Sequence, residues 1–590
     1  MCGIVGYVGS GPTLLVLLEA LEKLEYRGYD SSGVALVEDG ELFIEKKTGK
    51  IRELIKSLWG KKTKAKAGIG HTRWATHGQV CELNAHPHSD SKGNFAVVHN
   101  GIVENYRQLK DWLTSQGIEY RSQTDTEAIA HLIALNYRGD LLEATHKVTK
   151  MLEGAFAFAV LSTHEPERIV AFRRSSPLVV GLGENENFLA SDIPALLSFT
   201  RRVIPLSEGE LVDLRPDGVS IYAEDLSPVT RDVIYIQWDV ISAEKGGFKH
   251  FMLKEINEQP RVVSDTIRGL VSRESELSFN LKDFKRVVFV ACGTSLHAAM
   301  VAKNWISKFQ EIPSEVYHAS ELRYSDEPIG VNDLVIAISQ SGETADTRFA
   351  ALSAKERGAS LLSVVNVVGS ALDRESDFTL YTNAGPEIGV AATKTFIAQL
   401  VALYYLSTQG KDKSLRQKLS AIPGLIEDVL SIGEKIKAFA PKISQVKNAL
   451  YIGRYINYPI ALEGALKLKE ISYIHAEGLP AGEMKHGPIA LIDEKMPVFA
   501  IAVQDRVYEK VLSNLEEVLA RRGQLITIGF KGDQKLSSIS NYMIEIPKTE
   551  EFLTPFITIV PLQLIAYYIA DHLGLDVDQP RNLAKTVTVE

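Results

Sequence analysis

The first 220 positions show apolar residues mostly in short runs or at the two-residue period of half-buried strands. Such runs occur at 2–9, 34–37, 42–46, 68–71, 96–99, 155–161, 169–173, 178–182 and 210–214. Helical spacing marks residues 13–25, through the leucines at 14, 17, 18, 21 and 24, and a segment that begins near Thr126. This pattern predicts an α+β region in which strands dominate.

The pattern breaks between about 224 and 250, where the runs DLSP at 225–228 and EKGG at 244–247 indicate a linker. Beyond it, strand-like runs at 286–291, 333–339 and 360–366 alternate with helical segments. Alternation of this kind predicts βαβ units and a parallel, doubly wound sheet.

The second part of the chain repeats itself. A strand followed by an alanine-rich helix occurs at 288–295 and again at 450–456, and later strand pairs also correspond. Two copies of one α/β unit are therefore predicted, at roughly 280–425 and 440–580. The domain boundaries predicted from these breaks are 1–223, a linker at 224–248, 249–430, 431–579 and a tail at 580–590.

Length and composition set broad limits. A chain of 590 residues exceeds one hydrophobic core, and a net charge of −9 argues against nucleic-acid binding. Cys2, Cys81 and Cys292 form neither a disulfide framework nor a zinc pattern, which fits a reducing cytoplasm. We expect no signal peptide, and we interpret the apolar stretch 556–570 as a buried helix too short and too interrupted to span a membrane.

Cys2 directly follows the initiator methionine. Removal of Met1 leaves a thiol and a free α-amine on one residue, with reference pKa values near 8.5 and 8. A nucleophile with a base a few bonds away can work as one catalytic unit. Taken alone, Cys2 is more simply interpreted as an ordinary small residue at the start of a strand.

Three further segments offer what an acyl-transfer site needs: HTRWATHG at 71–78, HNG at 99–101 and SQTDTE at 122–127. The amide of Asn100 and the N–H of Gly101 can both donate to an oxyanion. Arg73 and Asp125 fit the carboxylate and the ammonium group of an amino acid. Each segment by itself is better explained by a turn or a helix cap.

Together with CGIVG at 2–6, RGYDS at 27–31 and NAHPH at 84–88, these segments resemble the N-terminal-cysteine glutamine amidotransferases over about the first 220 residues. The resemblance implies that Cys2 attacks the glutamine amide to give a thioester and ammonia, with Asn100 and Gly101 as the oxyanion hole. It implies that Trp74 closes the site and gates ammonia. The residues it implies for glutamine binding are Arg73, Trp74, Thr76, His77 and Asp125.

Ammonia needs an acceptor, and SQSGET at 339–344 lies between a predicted strand and a predicted helix. Hydroxyls and free N–H groups at a helix start can bind an anion, although plain capping is an equal alternative. Glu343 suits an anion site only if it points away. Thr294 and Ser295 follow the preceding strand and would lie at the same edge of the sheet.

The predicted helix 459–470 places Glu463, Lys467 and Glu470 on one face. An exposed charged face would look the same. The titratable residues that follow, His475 and His486 among them, favour proton transfer on a sugar.

SQSGET, the 462–470 helix, KHGP at 485–488 and the tail 580–590 resemble paired sugar-isomerase domains. The whole chain is similar to the isomerising glutamine–fructose-6-phosphate aminotransferase family. The fold implied is multidomain, with an N-terminal α+β N-terminal-nucleophile glutaminase domain followed by two doubly wound α/β sugar-isomerase domains. The activity implied is nitrogen transfer from glutamine to fructose 6-phosphate and isomerisation to glucosamine 6-phosphate, the first step of amino-sugar synthesis, in a cytoplasmic homodimer.

That resemblance also implies residue roles. Glu470 moves a proton between C1 and C2, His486 from a neighbouring subunit assists ring opening, Lys585 forms a Schiff base, and Lys467 supports the chemistry. The residues implied for the sugar phosphate are Ser339, Gln340, Ser341 and Thr344, with Thr294 and Ser295 nearby. Ala392 departs from the serine that the family often has there, which puts one substrate hydrogen bond in doubt.

No cofactor or metal is expected, because the pair His86 and His88 has no third ligand nearby. Two other functions remain open. One is another amidotransferase of the same class, although no phosphoribosyl-pyrophosphate loop is found. The other is a sugar-phosphate-binding regulator, although a basic DNA-binding module is missing. Neither nucleic acid nor a membrane is an expected partner.

Overall fold

The computed structural model describes residues 2–74, 78–236, 245–274 and 278–588. The chain divides into two compact units. The N-terminal unit is Met1–Ala243 together with Ala584–Glu590, and the C-terminal unit is Glu244–Leu583. The sequence-based domain boundaries stay predictions.

The N-terminal unit consists of antiparallel strands and a smaller number of helices. Its strands are β1 (Gly3–Gly9), β2 (Ser31–Glu38), β3 (Glu41–Thr48), β4 (Ala67–Arg73), β5 (His88–Ser89), β6 (Phe95–Gly101), β7 (Phe156–Ser162), β8 (Ile169–Arg174), β9 (Val179–Leu182), β10 (Glu186–Ala190), β11 (Arg202–Pro205), β12 (Leu211–Arg215), β13 (Gly218–Tyr222), β14 (Pro228–Val229) and β15 (Ile234–Tyr235). Its helices are α1 (Thr13–Lys23), α2 (Ile51–Ser57), α3 (Tyr106–Ser115), α4 (Thr126–Asn136) and α5 (Leu141–Thr149).

These strands form two sheets, in the orders β15-β11-β9-β10-β1-β4-β2-β3 and β14-β13-β12-β8-β7-β6-β5. Apolar residues of both sheets, such as Ile4 of β1 and Val98 of β6, share one core, so the sheets stack face to face. Helix α1 packs on β4, where Gly68 leaves room for Leu17, and α3 to α5 cover the outer face of the second sheet. The predicted strand-dominated α+β fold is confirmed as a four-layer arrangement.

The position of β1 in its sheet determines where Cys2 lies. β1 is an interior strand between β10 and β4, and Gly3 pairs with Thr72 of antiparallel β4. Cys2 therefore lies beside the end of β4, which is formed by Arg73 and followed by Trp74. A buried interior strand is a rigid base for a reactive side chain at its start.

The C-terminal unit alternates strands and helices. Its strands are β16 (Arg286–Ala291), β17 (Ser314–His318), β18 (Asp333–Ser339), β19 (Ser360–Val365), β20 (Phe378–Tyr381), β21 (Asn448–Gly453), β22 (His475–Pro480), β23 (Pro497–Ile501), β24 (Gln524–Phe530) and β25 (Tyr542–Ile546). Its helices are α6 (Phe251–Asn257), α7 (Gln259–Ser272), α8 (Gly293–Phe309), α9 (Ala319–Leu322), α10 (Ala345–Glu356), α11 (Ala371–Glu375), α12 (Lys394–Ser407), α13 (Lys413–Gln417), α14 (Ile422–Leu430), α15 (Gly433–Phe439), α16 (Tyr458–Ser472), α17 (Tyr508–Leu519), α18 (Gln534–Ile539) and α19 (Thr554–His572).

Two five-stranded sheets carry this unit, in the orders β17-β16-β18-β19-β20 and β22-β21-β23-β24-β25. All neighbouring strands in both sheets are parallel. Numbered within each copy, both orders read 2-1-3-4-5, which confirms the predicted repeat. In sheets of this order, ligands bind at the carboxyl ends of the first and third strands, here β16 and β18.

Helix α19 corrects one expectation. The sequence suggested an interrupted helix too short to span a membrane, but α19 has 19 residues and runs through Pro561. By length and composition the segment 551–572 could cross a membrane, and it is the only such helix found among the described residues. In the structure 89% of its most apolar window is buried within the protein, as in a core helix.

Candidate active sites

The Cys2 side chain is half-buried directly before β1. The backbone N–H of Trp74 donates to Cys2 Sγ at 3.3 Å, and Arg27 Nε donates to the Cys2 carbonyl at 3.2 Å. Asp192 holds Arg27 through an ion pair of 2.8 Å. Burial raises the pKa of the Cys2 thiol, so a base must take its proton before it can attack.

Cys2 opens on a small pocket that unites most of the predicted glutamine site. Thr76 and His77 lie outside the described residues. The lining residues are Cys2, Arg73, Trp74, His86, His99, Gly101, Thr124 and Asp125.

The side-chain amide of Asn100 is oriented by a residue that the sequence reasoning missed. His71 Nε2 lies 2.9 Å from the His99 carbonyl oxygen and 3.1 Å from Asn100 Oδ1. Burial lowers the pKa of His71 to about 3, so the ring is neutral, and its one proton must face these two acceptors. Asn100 Oδ1 is thereby occupied, and Nδ2 is the end of the amide that remains to donate to a ligand.

Gly101 completes the same strand end. Its φ of +110° lies in a region that side chains rarely adopt, and a Cβ there would clash with the carbonyl oxygen of Ala155. Only glycine fits, so its backbone can approach a bound group closely. The role of Asn100 and Gly101 as the two oxyanion donors stays a prediction.

His86 and His88 are structural partners of the loop that carries Asp125. His86 Nε2 lies 3.2 Å from the Thr126 hydroxyl, and His88 Nε2 lies 3.0 Å from the Thr124 hydroxyl. Asp125 itself accepts from the N–H of Val103 at 2.9 Å. Within the described ranges no group of three or more histidine, cysteine or acidic residues is placed to hold a metal ion.

We expect these buried histidines to make the N-terminal unit sensitive to mild acid. Burial lowers the pKa of both His71 and His88 to about 3, whereas unfolded histidine titrates near 6.5. Below pH 6.5 the unfolded chain therefore binds more protons, and the free energy of unfolding falls by up to about 1.4 kcal/mol per pH unit for each histidine. Urea unfolding of the full chain between pH 7.5 and 5.5 measures this slope.

The control for that slope is a pair of substitutions. His88→Gln should flatten it, while His318→Gln, at an exposed position, should leave it unchanged. Equal slopes in both variants and the parent would contradict the assignment.

In the C-terminal unit, residues 339–344 form a compact loop between β18 and α10. The Ser339 and Thr344 hydroxyls lie 2.9 Å apart, and Ser341 Oγ accepts from the N–H of Glu343 at 3.1 Å. Glu343 Oε1 accepts from the N–H of Ala371 at 2.7 Å, so its charge is turned toward α11. The objection that Glu343 posed to an anion site is removed.

Thr294 and Ser295 lie in the first turn of α8, beside this loop at the carboxyl edge of the sheet. Ser295 Oγ accepts from Gln399 Nε2 at 3.0 Å. Thr294 Oγ1 instead donates to Glu463 Oε1 of α16 at 3.0 Å. Thr294 therefore links the two copies of the repeat.

Helix α16 carries a buried charged face, not the exposed one that the sequence left open. Lys467 Nζ lies 2.6 Å from Glu470 Oε2 and 3.4 Å from Glu463 Oε1, and Glu463 and Lys467 are fully buried. Burial alone would lower the pKa of Lys467, but the two carboxylates outweigh it and raise the pKa, so the ammonium stays charged. Glu470 retains 21% exposure and is the member of the group open to a ligand.

A second residue that the sequence reasoning missed completes this group. His297 Nδ1 of α8 lies 2.6 Å from Glu463 Oε2. The only signal in the sequence is its position three residues after Thr294, which puts both on one face of α8.

His486 and Lys585 are the remaining residues predicted for the sugar chemistry. His486 is exposed at the end of the 3₁₀ segment Ala481–His486, and its ring makes no hydrogen bond to any described residue. Lys585 is half-buried in the tail that groups with the N-terminal unit.

The second copy lacks the hydroxyl-rich loop. The segment after β23, equivalent to 339–344 after β18, contains Gln504, Asp505 and Arg506. Asp505 accepts from the N–H of Val507 at 2.9 Å, and an anionic side chain at this point disfavours a phosphate. Of these two equivalent described segments, only the one after β18 is rich in hydroxyl side chains.

These features define a two-part amidotransferase: an N-terminal-nucleophile unit with a cysteine, followed by a duplicated α/β unit with a sugar-phosphate type of site. Family models agree, since residues 71–198 match a glutamine amidotransferase domain and residues 280–408 and 442–572 match the SIS domain.

Known proteins make the assignment specific. The glutamine–fructose-6-phosphate aminotransferase (isomerizing) of Aquifex aeolicus is 64% identical over 592 residues, and that of a Thermus thermophilus strain is 48% identical over 605 residues, each covering all of both chains. The chain belongs to the isomerising glutamine–fructose-6-phosphate aminotransferase family.

Solved structures agree for the C-terminal part. The C-terminal domain of the Francisella tularensis glucosamine-fructose-6-phosphate aminotransferase is 41% identical with a TM-score of 0.53, covering 57% of this chain and 100% of that chain. The tagatose-6-phosphate ketose/aldose isomerase of Escherichia coli, at 17% identity and a TM-score of 0.51, covers 57% of this chain and 96% of that chain and shares the fold.

Proposed function

We propose that this protein transfers the amide nitrogen of glutamine to fructose 6-phosphate and isomerises the product to glucosamine 6-phosphate, releasing glutamate. The observation that carries the proposal is the pairing of an enclosed cysteine pocket in one unit with a hydroxyl-rich loop and a buried acid–lysine group in the other. Full-length relatives named glutamine–fructose-6-phosphate aminotransferase (isomerizing) support this proposal. They favour it over another amidotransferase of the same class and over a sugar-phosphate-binding regulator. The test is glucosamine 6-phosphate formation from fructose 6-phosphate, with glutamine or ammonia as nitrogen source.

In the N-terminal unit, Cys2 is the proposed nucleophile. After removal of Met1, the α-amine of Cys2 takes the thiol proton, and sulfur attacks the amide carbon of glutamine. Asn100 Nδ2 and the Gly101 N–H stabilise the oxyanion, and the proton passes to the departing ammonia. Water then cleaves the thioester to release glutamate. Arg73 and Asp125 are proposed to hold the two charged ends of glutamine.

In the C-terminal unit, the 339–344 loop is proposed to hold the sugar phosphate. Lys585 condenses with the C2 carbonyl to form a Schiff base, with loss of water. Ammonia then adds to C2 and displaces the lysine amine, which leaves the imine of fructose 6-phosphate. Glu470 moves a proton from C1 to C2, while the C1 hydroxyl proton passes to the nitrogen, to give the amino aldehyde of glucosamine 6-phosphate. The ion pair with Lys467 keeps the Glu470 carboxylate in place for that transfer.

We also propose a homodimer. The exposed ring of His486, with no hydrogen bond to a described residue of its own chain, is available to a neighbouring subunit, where it would assist ring opening.

The three cysteines are unpaired in the structure, which supports the reducing compartment expected from the sequence.

We expect borohydride added with fructose 6-phosphate to leave a reduced sugar adduct on Lys585. A Schiff base is reduced to a stable amine, and the modified lysine can be found by peptide mapping. Lys585→Arg should abolish the adduct and the synthesis while leaving basal glutamine hydrolysis. An adduct confined to other lysines in the wild-type protein would remove Lys585 from the mechanism. Lys548→Arg, the same change at an exposed lysine, is the matched control.

A further inference from the structure

Glu463 receives two side-chain hydrogen bonds from α8, a helix of the other copy of the repeat. His297 Nδ1 lies 2.6 Å from Oε2, and the Thr294 hydroxyl lies 3.0 Å from Oε1. Glu463 is fully buried, so no solvent can replace either donor. A buried carboxylate is costly unless its oxygens are paired.

The contacts continue from Glu463 to Glu470. Lys467 Nζ lies 3.4 Å from Glu463, donates to the Thr294 hydroxyl at 3.1 Å, and reaches Glu470 at 2.6 Å. Burial by itself would raise the pKa of Glu463, but the charge of Lys467 and the hydrogen bond from His297 outweigh it and lower the pKa. His297, Glu463, Lys467 and Glu470 thus form one connected row that ends at the most exposed carboxylate of the α16 face.

We propose that His297 is a positioning residue for the isomerisation. Its Nδ1–H holds the Glu463 carboxylate, Glu463 holds the Lys467 ammonium, and Lys467 orients the Glu470 carboxylate that moves the proton. The inference rests on the proposed role of Glu470. His297 itself acts through Glu463 and does not touch the reacting carbons.

Loss of the His297 donor would leave Glu463 Oε2 buried without a partner. The carboxylate could then recover stability only by taking up a proton or by drawing Lys467 closer. The first change releases the Lys467 ammonium from Glu463 and the second draws it away from Glu470, so either one moves the ammonium from the position in which it orients the Glu470 carboxylate. Besides His297, the charged groups around Glu463 are Lys467 and Glu470 on α16. Glu387, on the segment before α12, also acts on this group, because its charge contributes to raising the pKa of Lys467.

The decisive comparison is between two substitutions of nearly equal shape. The Nδ2 atom of asparagine occupies the position of His Nδ1, so His297→Asn keeps the donor, whereas His297→Leu removes it. We expect the Leu variant to lose about ten- to a hundredfold in kcat for sugar isomerisation, with little change in KM for fructose 6-phosphate. The Asn variant should stay within about threefold of the parent.

The pH profile gives a second readout that a purely structural role would not move. In the Leu variant the acidic limb of the plot of kcat against pH should shift to higher pH. The reason is that Glu463, without the hydrogen bond from His297, binds a proton more readily. In the Asn variant the limb should stay in place. If the Leu variant does not fold, His297→Ala with added imidazole replaces it, and recovery of kcat by imidazole is then the expected result.

Two controls separate the possible failures. His318→Leu removes an exposed histidine of the same unit and should leave kcat unchanged, and basal glutamine hydrolysis should be normal in every variant. A parent enzyme that forms no glucosamine 6-phosphate would overturn the proposed function. An active parent with Leu and Asn variants of equal activity, whether both normal or both impaired, would overturn the role of His297 alone.

Discussion

A Cys2→Ala variant is expected to lose glutamine-dependent synthesis by roughly 10⁴-fold or more, because the change removes the attacking atom itself. Ammonia-dependent synthesis should persist, since the sugar chemistry is proposed for residues of the C-terminal unit and for Lys585, and not for Cys2. Glutamate release from glutamine and glucosamine 6-phosphate formation with ammonium chloride measure the two activities separately. Cys81→Ala, at a half-buried cysteine of the same unit, is the matched control and should retain both.

The same pocket allows a test of the base. A preparation that retains Met1, verified by mass, has its α-amine displaced from Cys2 and should hydrolyse glutamine as poorly as the alanine variant. Normal hydrolysis by the Met1-retaining chain would exclude the α-amine as the base. Normal hydrolysis by Cys2→Ala would exclude Cys2 as the nucleophile.

Glu470→Gln should reduce isomerisation by roughly 10²- to 10⁴-fold while basal glutamine hydrolysis is retained. Glutamine has nearly the same shape as glutamate but cannot accept and return a proton between adjacent carbons. The measurement is exchange of the C1 hydrogen of fructose 6-phosphate in deuterated water, followed by NMR. This exchange reports the proton transfer directly, before any later step.

The control for Glu470→Gln is Glu477→Gln, the same change at an exposed carboxylate shortly after α16. It should exchange at the rate of the parent. Exchange at that rate by the Glu470 variant as well would mean that another base moves the proton.

The strands of the α/β repeat were predictable because their signal is local. Runs of apolar and β-branched residues predicted both ends of β16 and β18 correctly. Similar runs later in the chain indicated the second copy of the α/β unit. Helix α19 was underestimated because Pro561 and Thr558 looked like interruptions. The hydroxyl of Thr558 is satisfied inside the helix by the carbonyl of Thr554 at 2.9 Å, so the helix continues.

The residues proposed to contact a substrate lie in short sequence motifs that can be recognised. No such motif marks the role of the residues that position other side chains. His71 and His297 owe their importance to partners 29 and 166 positions away. No local pattern encodes such distances. The burial of the α16 face was likewise undecided in the sequence, because only the packing of α8 against α16 separates it from a solvated charged stripe.

The unequal loops after β18 and β23 show that the duplicated halves complement each other. The half with the hydroxyl-rich loop contributes Thr294 and His297, and the half without it contributes the acid–lysine helix. On the proposed assignments, each copy of the repeat supplies a different part of one site. A mutation of Thr294 or His297 in one copy is therefore expected to affect the chemistry carried by α16 in the other copy.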